Sequence, residues 1–418
     1  MAQIPGQTGS GTFLQALIKE AGKKGYQQAL LAGVPAGYPE DQFLVHWNVE
    51  YYPVWFETDE LPFAVVGMSD AMPYPSTRYR DMTEGMADQW KAAFRKRVRE
   101  AILEFQPDQI LCHHLWLLSA LVKELAGSIP VAVISHGTDL RQLDQAHQFA
   151  EEVICGCGGA DVIFALNAHQ KDKIMERFGL CRDRIQIIGG GYHSDLFYPS
   201  EDKWTGCQVQ LDAEMENGTG RTLKLVYAGK MSYAKGVPSL LRAFSQLESG
   251  SCQLLLAGSG AGEETKEIYD LAKTIPGEIL FTGALPQAHL AALFRESDIF
   301  VLPSFYEGLP LVLIEALATG LRAVVSDLPG VADWLGTEIC ESGMVEFVPL
   351  PALRDQDKPE ISDLPAFEER LKDAIQRQIQ RILSGELPDH NQIQKNILKA
   401  SWESIFHDIE ERLIQRGN

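Results

Sequence analysis

The chain has little positive charge, few cysteines and no long apolar run. Against 57 Asp and Glu stand 37 Lys and Arg, a formal net charge of -20. General nucleic-acid binding needs a positive surface, so that class is disfavoured; a local basic pocket for a small anion is not excluded. The 7 cysteines are odd in number and scattered, which is the usage of reduced thiols rather than of a disulfide framework. Cys155-Gly-Cys157 lacks a metal spacing and reads as structural. No stretch is long and apolar enough to span a membrane. Met1 is followed by Ala-Gln-Ile-Pro-Gly, without the pattern of a secretory leader. The expectation is a cytoplasmic protein with at most peripheral membrane contact.

What the chain does contain is an alternation of short apolar runs with longer amphipathic stretches. Its 418 residues suggest two domains. Runs at 28–31, 63–67, 108–112, 131–135, 161–166 and 185–188 read as strands of a first domain, with helices over 12–24, 82–105 and 168–178. Runs at 223–228, 252–257, 278–281, 299–302, 323–326 and 345–348 read as a second set, with helices over 262–274, 287–296, 364–384 and 391–416. This is an α/β pattern of doubly wound parallel sheets. Residues 35–62 follow no clean period, and residues 200–221 form a polar linker or surface excursion.

Chemistry concentrates in residues 299–326. An apolar strand runs into Glu307-Gly-Leu-Pro-Leu-Val-Leu-Ile-Glu315, a helix follows, and Gly320 closes it. The free N–H groups of a helix's first turn make an anion site. Glu307 lies just before that turn and Glu315 roughly a turn and a half inside the helix. A carboxylate is a poor partner for phosphate but a good acceptor for hydroxyls. The arrangement suits a diphosphate with hydroxyls on both sides, as in a nucleotide-sugar. Upstream, Gly229-Lys230 and Lys235-Gly236 deliver two ammonium groups after an apolar strand, enough to neutralise a diphosphate.

The Glu307-to-Glu315 segment resembles the E-x7-E signature of family-4 retaining glycosyltransferases, which have the GT-B fold of two Rossmann-like domains facing a cleft. The resemblance implies a first domain over 1–199, to which a final helix at about 401–418 returns. A linker over 200–222 and a nucleotide-sugar domain over 223–400 complete it. By the same resemblance, Lys230 and Lys235 hold the diphosphate together with Gly308, Leu309, Pro310 and Leu311. Glu315 holds ribose hydroxyls, and Glu307 holds sugar hydroxyls. The turn near Gly283 and Leu285 holds the base through its backbone. His136, in His136-Gly-Thr-Asp139, reaches the sugar near the bond that breaks. The glycine turn with Gly9, Ser10 and Gly11 faces the donor and acceptor.

The pattern departs in two places. Lys230 stands where arginine is usual, which keeps charge but loses the bidentate fork. Gly189-Gly-Gly-Tyr192-His193 replaces the usual Asn-Gly-Val-Asp hinge, with His193 in the acidic place. A further oddity lies at the start: a glycine turn of this kind normally follows a full buried strand. Only a few residues precede it here, so either that strand is very short or the chain begins late.

Other candidates read in two ways. Residues 68–80 are a surface loop or an acceptor-side lid with Arg78 and Arg80 on an anion. The mixed charges of the helix over 82–105 read as a solvated face rather than a membrane-docking one. His113 and His114 are structural or serve the acceptor. Asp355-Gln-Asp357 matches a metal-binding D-x-D pattern but follows no strand end, so no metal or other cofactor is expected. The expected function is retaining transfer of a sugar from a nucleotide-sugar, UDP-sugar favoured, to a hydroxyl acceptor such as a saccharide, glycolipid or small molecule. The rivals are a sugar-nucleotide isomerase and a catalytically silent nucleotide-sugar-binding subunit.

Overall fold

A computed structural model describes all residues except 7, 40, 41, 71, 201–221, 248–251, 356, 387–389 and 418. Nearly all of the expected linker therefore lies outside the described residues. The chain divides into two compact units, Met1–Gly190 with Trp402–Asn418, and Gly191–Ser401. The first division falls inside the triglycine, with residues 191–199 in the second unit.

The first unit contains α1 (Gly9–Lys23), β1 (Gln28–Pro35), β2 (Val49–Phe56), α2 (Glu84–Phe105), β3 (Ile110–His113), α3 (Leu117–Leu125), β4 (Val131–Ile134), α4 (Thr138–Gln145), β5 (Val162–Ala165), α5 (Ala168–Phe178) and β6 (Ile185–Ile187). Its strands form two separate parallel sheets, β1-β2 and β3-β4-β5-β6. Trp90 and Phe94 of α2 pack with Phe56 of β2 in the main core. The unit's last helix packs on α1, where Trp402 meets Phe13 edge-on at 4.7 Å.

The apolar run expected as a strand over 63–67 contributes only Val66–Gly67, paired with Thr77–Arg78. Within the loop that follows, Arg78 bonds Asp81 at 2.5 Å and Arg80 bonds Asp70 at 3.0 Å. Both guanidinium groups thus already have carboxylate partners. On α2, Lys91 bonds Glu152 at 2.6 Å and Arg95 bonds Glu124, which is the pairing of a solvated face. The described cysteines are free thiols.

The second unit contains β7 (Leu223–Ala228), α6 (Val237–Ser245), β8 (Cys252–Ala257), α7 (Glu263–Thr274), β9 (Glu278–Gly283), α8 (Gln287–Arg295), β10 (Ile299–Leu302), α9 (Leu311–Ala318), β11 (Arg322–Ser326), β12 (Val345–Val348) and α10 (Leu364–Leu383). One parallel sheet runs β9-β8-β7-β10-β11-β12. Successive residues bury on opposite faces. Val226, Leu255 and Phe300 belong to one core, Leu225, Leu254 and Val301 to the other. Burial on both faces explains why these strands are continuous apolar runs. The order reverses between β7 and β10, so the loops after these two strands flank a topological switch point, where open α/β sheets bind ligands.

Leu353–Asp355 and Lys358–Pro359 form a small antiparallel hairpin, with Asp355 3.5 Å from Lys358. Asp355 is spent on an ion pair there. No helix among the described residues is long and apolar enough to cross a membrane.

Candidate active site

The turn after β7 and the loop after β10 are clamped together. Phe305 N donates to Ala234 O at 3.0 Å. Gly236 has φ +65, and a Cβ on it would meet Pro303 O at 2.0 Å. Only glycine allows this approach. The clamp brings two of the expected residues together: Lys235 Nζ lies 2.7 Å from Glu307 Oε2 and donates to Tyr306 O at 3.4 Å. Ser304 Oγ donates to Glu307 Oε1 at 2.8 Å. Both oxygens of Glu307 are thereby engaged and the side chain is fixed. Lys230 is exposed. Its backbone carbonyl accepts from the buried Tyr227 hydroxyl at 2.8 Å, which pins the start of the turn.

Helix α9 starts at Leu311, one residue later than a proline at the first helical position would give. Pro310 occupies the capping position with ψ +82. Leu313 N donates to Pro310 O at 2.9 Å and Leu311 N to Leu309 O at 3.0 Å. Gly308 is exposed, while Leu309 and Leu311 are half-buried. Glu315 sits one turn in, 9% exposed, with no hydrogen-bond partner among the described residues. Burial pushes its carboxyl up to about 7. A buried carboxylate without protein donors is ready to accept from a ligand's hydroxyls. Gly283 ends β9 and Leu285 follows it, at the same sheet edge but two strands away from β7, about 10 Å.

In the first unit the structure overturns one expectation. Gly9, Ser10 and Gly11 are not a loop but the first turn of α1. Thr8 caps it, its hydroxyl accepting from Gly11 N at 3.1 Å, so the helix starts before the glycines rather than after them. Ser10 Oγ lies 3.0 Å from His114 Nε2. His114 Nδ1 meets Asp139 Oδ1 at 2.7 Å, so Nδ1 carries the proton that faces the carboxylate. Asp139 Oδ2 accepts from Leu115 N and His136 N, each at 3.0 Å. Burial opposes the charge on Asp139, but the adjoining His114 and His136 rings and these hydrogen bonds outweigh it and hold the carboxyl well below its usual range.

His136 follows β4, half-buried, with Nε2 3.0 Å from His113 Nδ1 and its ring stacked on that of His113 at 5.2 Å. Burial, then the neighbouring rings, lowers the pKa of both, so the pair is neutral at physiological pH. Sequence reasoning named His136 and weighed His113 and His114, but it gave Asp139 no role. The one signal was the His-x-x-Asp spacing, which lets a side chain cap the backbone three residues before it.

Residues 8–196 match the model described as Glycosyltransferase Family 4, and residues 214–345 match that of the group 1 glycosyl transferases. The putative glycosyltransferase EpsF of Bacillus subtilis is 28% identical over 255 residues, 56% of this chain and 61% of the relative. The chain spans about half the length of the curated relatives it matches. Sucrose-phosphate synthase from Thermosynechococcus elongatus superposes with a TM-score of 0.65 at 17% identity, over 98% of this chain and 94% of that one. Anabaena HepE in complex with UDP-glucose superposes with a TM-score of 0.63 at 15% identity, over 99% of this chain and 98% of that one. With consecutive family models over both units and this fold, the chain belongs to the family-4 glycosyltransferases of GT-B fold.

Proposed function

We propose that the protein transfers a sugar from a nucleotide-sugar, UDP-sugar favoured, to a hydroxyl acceptor, with retention at the anomeric carbon. The observation that carries this reading is the Lys235–Glu307 pair at the switch point of the second unit, beside the start of α9 and the buried Glu315. Lys230, Lys235 and the first turn of α9 stabilise the departing diphosphate through charge and backbone N–H groups. Glu315 accepts from ribose hydroxyls, and Glu307 from sugar hydroxyls. His136 is the residue we assign to the sugar from the first unit, as a neutral hydrogen-bonding group rather than a general acid.

The anomeric C–O bond to the diphosphate breaks, and the acceptor oxygen bonds to the same face of that carbon. A leaving phosphate oxygen takes the acceptor's proton. No enzyme nucleophile and no divalent cation enters this scheme. The UDP-glucose complex of HepE supports the choice of donor class. Cell-envelope polysaccharides, glycolipids and small molecules are all acceptor classes to test.

The experiment is UDP release from UDP-sugars in EDTA with a panel of acceptors, followed by NMR of the new glycosidic bond. Retention with EDTA-insensitive release is expected. An inverted product would overturn the mechanism. Interconversion of donor without transfer would favour an isomerase, and binding without any turnover a silent subunit.

A further inference from the structure

The two lysines of the turn after β7 are held in different ways. Lys235 has partners for its ammonium in Glu307 and the Tyr306 carbonyl. Lys230 is exposed, and its ammonium meets no partner among the described residues. A lysine ammonium is a point charge on a flexible stem, without the fixed fork of arginine. Its reach is set by where the main chain places its Cα. What holds that main chain therefore matters more for Lys230 than for Lys235.

Residues 230 and 231 are fixed from three sides. The fully buried Tyr227 hydroxyl donates to Lys230 O at 2.8 Å. Burial pushes the pKa of that phenol up, so it stays a donor at any working pH. Met231 N donates to Ser259 O, in the loop after β8, at 3.0 Å. Met231 O accepts from Thr265 Oγ1, in the first turn of α7, at 3.2 Å. Thr265 shares its one proton with Ala261 O, also at 3.2 Å, so this is the weaker of the two side-chain ties. Two glycines permit the convergence. A Cβ on Gly258 would meet Gly229 O at 1.8 Å, and one on Gly260 would meet Thr265 Oγ1 at 2.3 Å and Met231 O at 2.7 Å. The same loop reaches the turn after β9, where Gly258 N donates to Gly283 O at 2.8 Å.

We propose that Tyr227 and Thr265 are positioning residues for Lys230, holding the carbonyls of residues 230 and 231 so that its ammonium meets the diphosphate at a fixed span from the turn at Gly283. The inference rests on the donor site proposed above. Both side chains are buried, so neither is placed to touch a ligand, and both act through Lys230. Loss of either hydroxyl frees the main chain that carries the cation. It leaves the backbone bond between Gly258 and Gly283, and with it the turn assigned to the base, as it was.

The test is a double-mutant cycle, read by calorimetric titration with UDP and by NMR titration with uridine. Tyr227→Phe and Thr265→Val keep the shape of the side chain and remove the hydroxyl. UDP affinity should fall about 3- to 10-fold for Tyr227→Phe and about 2- to 5-fold for Thr265→Val, with uridine affinity unchanged. Thr265→Ser, which keeps the hydroxyl, should restore UDP affinity. In a Lys230→Ala background neither substitution should weaken UDP further, because the group they position is gone. A merely structural role would lower UDP and uridine affinity together, or add its full loss to that of Lys230→Ala, and either result overturns the inference. Should Thr265→Val fail to fold, Tyr227→Phe carries the same cycle. UDP binding by the parent chain with no loss in the variants overturns the inference and leaves the donor site standing. No UDP binding by the parent overturns the donor site, and the inference with it.

Discussion

Lys235 and Glu307, from loops on either side of the switch point, meet at 2.7 Å. The lysine is therefore in place before any ligand arrives. In the proposed reading an incoming diphosphate meets a cation already oriented, beside a carboxylate whose two oxygens are held by Lys235 and Ser304. Preorganisation of this kind lowers the cost of binding.

Removing the lysine tests both roles. Lys235→Ala takes away a charged hydrogen bond of about 1.5–3 kcal/mol, so UDP affinity should fall roughly 10- to 150-fold. Glu307→Gln should leave UDP affinity within a few-fold and cut transfer far more. Calorimetric titration with UDP, beside a product assay, separates the two.

Gly236→Ala strikes the clamp that holds this pair. The added Cβ would overlap Pro303 O at 2.0 Å, in a backbone conformation with φ +65. The left-handed conformation alone costs about 1–2 kcal/mol. The expected result is a lower Tm for the second unit and weakened UDP binding together. A variant as stable as the parent would show that the turn is not tied to the loop after β10.

Glu315 makes a pH prediction. Burial raises its folded pKa from 4.5 to about 7. Between those values the folded chain holds a proton that the unfolded chain has lost, so this group's contribution to stability falls as pH rises through the window. Hydroxyl donors prefer the carboxylate, so nucleoside binding should tighten from about pH 6 to about pH 8 with proton release. Glu315→Gln should flatten that dependence. A pH-independent affinity in the parent chain would remove Glu315 from the ribose site.

The histidine cluster acts in the opposite direction. His113 and His136 are held neutral, below the ordinary 6.5, and burial is the largest cause for each. The unfolded chain takes up their protons first, so stability should fall as pH drops below 6.5. Asp139→Ala should cost at least about 2 kcal/mol, because the buried Leu115 amide and the half-buried His136 amide lose their acceptor. Denaturant unfolding at neutral and acidic pH checks both.

Where the sequence was legible, one physical reason recurs. The central strands of the second unit are buried on both faces, so they stand out as apolar runs, and the turns after them carry Lys230, Lys235, Glu307 and Gly308. Strand β2 was not legible. Val49–Phe56 carries Pro53 and four aromatic residues, and proline is tolerated there because the strand lies at a sheet edge. The start of α1 was misjudged because a capping threonine outweighed the glycines after it. The role of Asp139 is visible only once residues 10, 114 and 136 converge, and no local pattern records such a meeting.

The most direct measurement is a thermal-shift comparison of UDP, GDP and ADP, with and without EDTA, on the parent chain and on Lys235→Ala. At about 100 times its dissociation constant a ligand adds about 2.7 kcal/mol. The account predicts a clear Tm rise with UDP, unchanged by EDTA and largely lost in the lysine variant. No rise with any nucleotide, or a rise that Lys235→Ala leaves intact, would contradict it.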